Sequence, residues 1–149
     1  MSIFIKPKTF NILLEDGAKM PTYAHKEDAC MDIYSNEDAI IEAGSYKVVK
    51  TGVRVDLKKG WEIQVRSKSG LAAKYGVSVL NSPGTIDAGY TGEIGVILMN
   101  NGKEDFKINR YDKIAQICPN KIYTMKFKLS NKLTKSQRGE GGFGSTGRK

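Results

Sequence analysis

Late in the chain stands the run Arg138-Gly139-Glu140-Gly141-Gly142-Phe143-Gly144-Ser145-Thr146-Gly147. Its glycines leave backbone N–H groups open to phosphate oxygens, and the Arg138 guanidinium offers a bidentate fork. Ser145 and Thr146 add hydroxyls, and Phe143 has a face that can stack on a base. As text, Gly139 to Gly144 satisfies G-x-G-x-x-G. A dinucleotide fingerprint must follow a strand and open a helix, however, and this run does neither. It is not a Walker loop either, because the lysine that reaches the β and γ phosphates is missing. By itself the run fits a phosphate-and-base clamp or an unordered glycine-rich tail equally well.

Charge points to the same region. The chain has 149 residues and a formal net charge of +8. Residues 121–149 hold Lys121, Lys126, Lys128, Lys132, Lys135, Arg138, Arg148 and Lys149 against Glu140 alone, so the preceding 120 residues are close to neutral. A basic segment of this kind usually meets phosphate, in nucleic acid or in a small molecule. Cys30 and Cys118 make neither a disulfide framework nor a metal spacing, and with His25 as the only histidine a zinc site would have to recruit carboxylates. Both cysteines are expected reduced, in or near the core. No apolar stretch approaches the roughly 18 residues of a membrane span, and MSIFIKPK does not read as a secretory leader. The expected location is cytoplasmic, or the host cytoplasm for a viral copy.

The elements that must position these residues read as strands. Short apolar or alternating runs occur at Phe10 to Leu14, Ala39 to Glu42, Tyr46 to Leu57, Trp61 to Arg66, Val77 to Asn81, Glu93 to Met99, Asp105 to Ile108, Lys113 to Cys118 and Ile122 to Leu129. Turn residues separate them, and Asn100-Asn101-Gly102 is a strong hairpin signal, because Asn and Gly tolerate positive φ. One helix is expected, Ser69 to Tyr75, capped by its serine and stopped by Gly76. The fold class is all-β, a jelly-roll-like or distorted barrel of the β-clip type with one short helix. Residues 1–129 form the body, and 130–149 are too polar to order alone and form a flexible C-terminal arm.

Five segments together resemble the trimeric dUTPase family. They are Ala29-Cys30-Met31-Asp32-Ile33; Ser67-Lys68-Ser69-Gly70-Leu71-Ala72; Asn81-Ser82-Pro83-Gly84-Thr85-Ile86-Asp87-Ala88-Gly89-Tyr90 with Gly92-Glu93-Ile94; Tyr111-Asp112-Lys113-Ile114-Ala115-Gln116; and Arg138 to Gly147. The resemblance implies hydrolysis of dUTP to dUMP and pyrophosphate, which supplies dUMP for thymidylate synthesis and keeps uracil out of DNA. Such chemistry needs an activated water, neutralisation of phosphate charge and in-line positioning. By resemblance Asp87 activates the water and Tyr90 packs on the deoxyribose, where it excludes a 2′-hydroxyl. Asn81, Thr85, Ile86 and Gly95 belong to a backbone slot that reads uracil. Lys68, Ser69, Gly70 and Gln116 hold phosphates. Phe143 stacks on the base, with Arg138, Ser145 and Thr146 around the phosphates.

Mg2+ is the implied cofactor, carried mainly on the triphosphate, with Asp32 in its outer shell through water. The implied assembly is a homotrimer with sites shared between subunits, each closed by a neighbour's arm, with no obligatory nucleic acid and no membrane. Lys68 and Lys113 stand where the family usually has arginine, and Ser67 where it often has proline. The deoxycytidine triphosphate deaminases share the scaffold but lack the full arm and use a glutamate. A basic-tailed nucleic-acid or protein-binding module would not need Asp87, Tyr90 and Phe143 together.

Overall fold

The computed structural model describes residues 7–143. Among them are eleven strands and one helix: β1 (Asn11–Leu14), β2 (Met31–Tyr34), β3 (Ala39–Ile41), β4 (Tyr46–Lys50), β5 (Val53–Asp56), β6 (Trp61–Arg66), α1 (Ser69–Tyr75), β7 (Val77–Val79), β8 (Gly84–Asp87), β9 (Gly95–Asn100), β10 (Phe106–Ile108) and β11 (Lys113–Lys121). They pair as four antiparallel sheets, β1-β5, β10-β3, β2-β11-β6-β8 and β4-β9-β7. The fold is the expected all-β, jelly-roll-like one, though the sheets wrap one core without closing into a barrel. Val96 and Leu98 on β9 meet Ile33, Ile41, Val49 and Ile114 there, all buried. Each such side chain contributes roughly 1.5–3 kcal/mol through burial.

The helix spans the residues expected, but Ser69 is not its cap. Lys68 holds that position with extended backbone, and no side chain caps the helix. Ser69 comes one residue too late to accept from the first turn. Gly76 ends the helix at φ 69°, a left-handed conformation that glycine adopts at little cost, and returns its N–H to Ala72 and Leu71.

Three other expectations are corrected. Tyr46 to Leu57 is two strands, because Thr51 and Gly52 give their N–H groups to the Glu93 carboxylate rather than to a neighbouring strand. Asn100-Asn101-Gly102 makes no hairpin. The Asn100 side chain turns inward, donates to the Ile41 and Glu104 carbonyls at 2.9 Å each and accepts from Gly102 N–H. Ile122 to Leu129 forms no strand within the chain, since regular pairing ends at Lys121. Its alternating Tyr123, Met125, Phe127 and Leu129 are 77–95% exposed. Cys118 is buried, Cys30 half-buried, and both are free thiols.

Candidate active site

β8 lies at the edge of the four-stranded sheet, with Ile86 facing the core and Thr85 and Asp87 exposed. After Asp87 the chain turns, Tyr90 N–H donating to the Asp87 carbonyl at 3.0 Å. The Tyr90 ring is then fixed from its far end, where the hydroxyl donates to the Glu93 carbonyl at 2.9 Å. Close approach is possible because residue 92 is glycine; a β-carbon there would lie 2.5 Å from the tyrosine oxygen.

Asn81, Thr85, Ile86, Asp87, Tyr90 and Gly95 line one cleft of about 230 Å³, joined by Glu93. These are all the described base and sugar residues expected from the sequence except Phe143. The cleft is smaller than the roughly 300–1,000 Å³ of most ligand pockets, enough for a nucleoside but not for its phosphate chain as well. Ser67 braces the hairpin from outside: its Oγ accepts from Val79 N–H at 2.9 Å.

A second group surrounds Asp32. This aspartate is 2% exposed. Lys68 Nζ donates to Oδ1 at 3.0 Å, Lys113 Nζ to Oδ2 at 2.7 Å, and Gln116 Nε2 to Oδ1 at 3.4 Å. Burial pushes the Asp32 carboxyl up, but the hydrogen bonds from Lys113 and Lys68 outweigh it and hold the group below its ordinary 3.8. The same contact raises the Lys113 ammonium. Ser69 and Gly70 are exposed beside Lys68 at the start of α1. The nearby Arg66 fork is not free for this group, because its Nε and Nη2 donate to Gln64 at 3.2 and 2.8 Å.

The two groups do not meet within one chain. Asp87 stands opposite Glu62 on β6, and Gln116 opposite Arg66 four residues further along the same strand. Strand geometry separates Asp87 from Gln116 by about 13 Å along the sheet and about 10 Å across it, roughly 16 Å in all. The described arm residues join neither group. Arg138 Nε donates to the Gly141 carbonyl at 2.8 Å, and Phe143 is fully exposed. Ser145 and Thr146 lie outside the described residues. No group of three or more Cys, His, Asp or Glu side chains among the described residues forms a metal cage.

A dUTPase family model matches residues 16–147. The chain belongs to the dUTPase family. It is 50% identical over 136 residues to a deoxyuridine 5′-triphosphate nucleotidohydrolase of Clostridium tetani, covering 91% of this chain and 94% of that one. A Clostridioides difficile protein of the same name is 51% identical over 134 residues, covering 90% and 94%. Among solved dUTPases, that of Staphylococcus bacteriophage 80alpha with dUpNHpp superimposes with a TM-score of 0.87 at 29% identity, over 95% of this chain and 99% of that one. A mutant dUTPase from phage phi11 of S. aureus, described with a structural Mg(II) ion, gives 0.77 at 29% identity over 84% and 98%.

In dUTPase terms the cleft corresponds to the third segment of the resemblance, and the Asp32 group joins the first, second and fourth. Two contributors carry no signal in the sequence that marks them for the site. Glu93 stands in the sequence only as a motif position, yet it ties the Tyr90 loop to Thr51 and Gly52. Lys113 stands there only as a departure from arginine, yet it is paired to Asp32. No helix among the described residues is long and apolar enough to cross a membrane.

Proposed function

We propose that this chain hydrolyses dUTP to dUMP and pyrophosphate, with Asp87 activating the attacking water at the α-phosphate. One observation carries the reading: in a chain of this family, Asp87 and Tyr90 are held three residues apart at the rim of a nucleoside-sized cleft with Asn81, Thr85 and Gly95. Uracil and deoxyribose occupy that cleft. Tyr90 forms the sugar wall, and the backbone around Asn81, Thr85, Ile86 and Gly95 reads the base. Lys68, Ser69, Gly70 and Gln116 take the phosphates. Mg2+ carried on the substrate would neutralise the charge that builds on the phosphates, and Asp32 would be its partner through water.

Sites are assembled between copies in a homotrimer. Support comes from the roughly 16 Å between Asp87 and Gln116 along the sheet, too far for one chain to hold both ends of a compact transition state. The uncovered Tyr123, Met125, Phe127 and Leu129 are matched by an apolar groove of about 580 Å³ beside Phe10, Met20, Leu57 and Trp61, which supports cover by another copy. Residues 1–129 are the body of each copy. Residues 130–149 are the arm that closes a neighbour's site, bringing Phe143 to the base and Arg138, Ser145 and Thr146 to the phosphates. Closure excludes water and strengthens each charge contact. The enzyme works in the cytoplasm and needs neither nucleic acid nor membrane.

A pyrophosphate-release assay with dUTP, UTP, dTTP and dCTP, each with and without Mg2+, tests the proposal. Mg2+-stimulated release from dUTP alone is expected. Comparable rates with all four nucleotides would refute it.

A further inference from the structure

The pairing of β2 with β11 slips by one residue. Gln116 stands opposite Asp32 and Ala115 opposite Ile33, yet Tyr34 pairs with Lys113 rather than Ile114. In a regular strand Lys113 would project from the face opposite Gln116, because side chains alternate. The extra residue reverses this and turns Lys113 to the face shared by Tyr34 and Asp32, the kind of re-aiming for which bulges are used. As a result the buried carboxylate has a cation on each oxygen, Lys68 on Oδ1 at 3.0 Å and Lys113 on Oδ2 at 2.7 Å. The two come from different elements, Lys68 from the α1 cap and Lys113 from β11.

A carboxylate 2% exposed with a single cation would hold that cation fast, since its departure leaves a buried charge uncompensated. A second cation removes that obstacle. We infer that Lys113 is a positioning residue for phosphate binding: it stays on Asp32 Oδ2 so that Lys68 can leave Oδ1 for the phosphate chain. The inference deepens the proposed function and rests on the role given there to Lys68.

The test uses the full chain with Lys113→Gln, which keeps a donor to Asp32 but loses the charge, and Lys113→Arg, which keeps both. Calorimetric titrations use the non-hydrolysable dUpNHpp and, separately, dUMP. Lys113→Gln is expected to weaken dUpNHpp about tenfold, the size of one charged hydrogen bond, with dUMP changed by less than about twofold. It should raise KM for dUTP more than it lowers kcat, and Lys113→Arg should restore both. In an Asp32→Asn background, Lys113→Gln should add nothing, because no carboxylate remains to be shared.

An undiminished loss in that background would make Lys113 a direct phosphate contact and overturn the inference. Equal weakening of both ligands, unchanged dUpNHpp affinity, or a Lys113→Gln chain that fails to fold would overturn it as well. A wild-type protein that binds neither ligand refutes the proposed function itself, an outcome distinct from all of these.

Discussion

The hydroxyl of Tyr90 fills the space that a side chain on Gly92 would need, a β-carbon there lying 2.5 Å from the phenolic oxygen. The ring is thus set by its bond to the Glu93 carbonyl and by the bareness of the residue between. Gly92→Ala must push Tyr90 off that position. Discrimination between dUTP and UTP, read as the ratio of their kcat/KM values, is expected to fall by about tenfold. An unchanged ratio would remove Tyr90 as the sugar wall.

Asp87→Asn keeps the size and hydrogen-bonding shape of the side chain but not its basicity. The expected result is a fall in kcat on the order of 10²- to 10⁴-fold, with dUpNHpp affinity within a few-fold of wild type. Turnover at the wild-type rate would take the water-activating role away from Asp87.

Asp32 gives a pH test of stability. Its carboxyl is held below the ordinary 3.8, so its contribution to stability is complete above that value and is lost as the pH falls through the folded-state value. Wild type should therefore melt above Asp32→Asn at neutral pH, and the gap should begin to close as the pH falls below about 4. A charge-assisted contact of this kind contributes about 1.5–3 kcal/mol. A gap that does not begin to narrow as the pH falls below about 4 would show that ionisation of Asp32 is not what stabilises the fold.

Deleting residues 138–149 removes the glycine-rich end of the arm without touching the core, since positions 122–143 have no regular structure and mostly exposed side chains. The truncated protein should melt within a few degrees of wild type and scatter light as three 16.5 kDa chains, less the deleted residues, while losing most activity. Full activity after truncation would contradict arm closure, and a monomeric mass for either form would contradict shared sites.

Glu93→Ala leaves Thr51 and Gly52 without the acceptor that takes both of their N–H groups, at 3.1 and 2.8 Å. A loss of about 1–3 kcal/mol in stability is expected, together with weaker dUTP binding because the Tyr90 loop is released. Glu93→Gln, which keeps an acceptor oxygen, should recover most of both. Equal damage from the two substitutions would assign the effect to charge rather than to the shared acceptor.

Strands that bury one face were legible from alternation, as at Val53–Asp56 and Trp61–Arg66. β2 escaped because its last three residues are all buried, leaving no alternation to read. Ile122 to Leu129 misled in the opposite way: from Tyr123 onward its pattern has period two, yet a pattern records which face wants cover and not which chain provides it. The Asn-Asn-Gly turn failed for a third reason, because Asn100 spends its amide on Ile41 and Glu104 inside the fold. In the site, the cleft residues followed from local motif order. Lys113 did not, since the bulge that swings it round is a property of pairing between strands far apart in sequence.

The bare strip at Tyr123, Met125, Phe127 and Leu129 also bears on how this protein must be handled. If another copy covers it, folding and assembly draw on one free energy, and mass action makes the melting temperature rise with concentration. Diluting a stock for a rate assay then does more than lower the number of active centres, because it strips cover from the strip and takes whole sites apart.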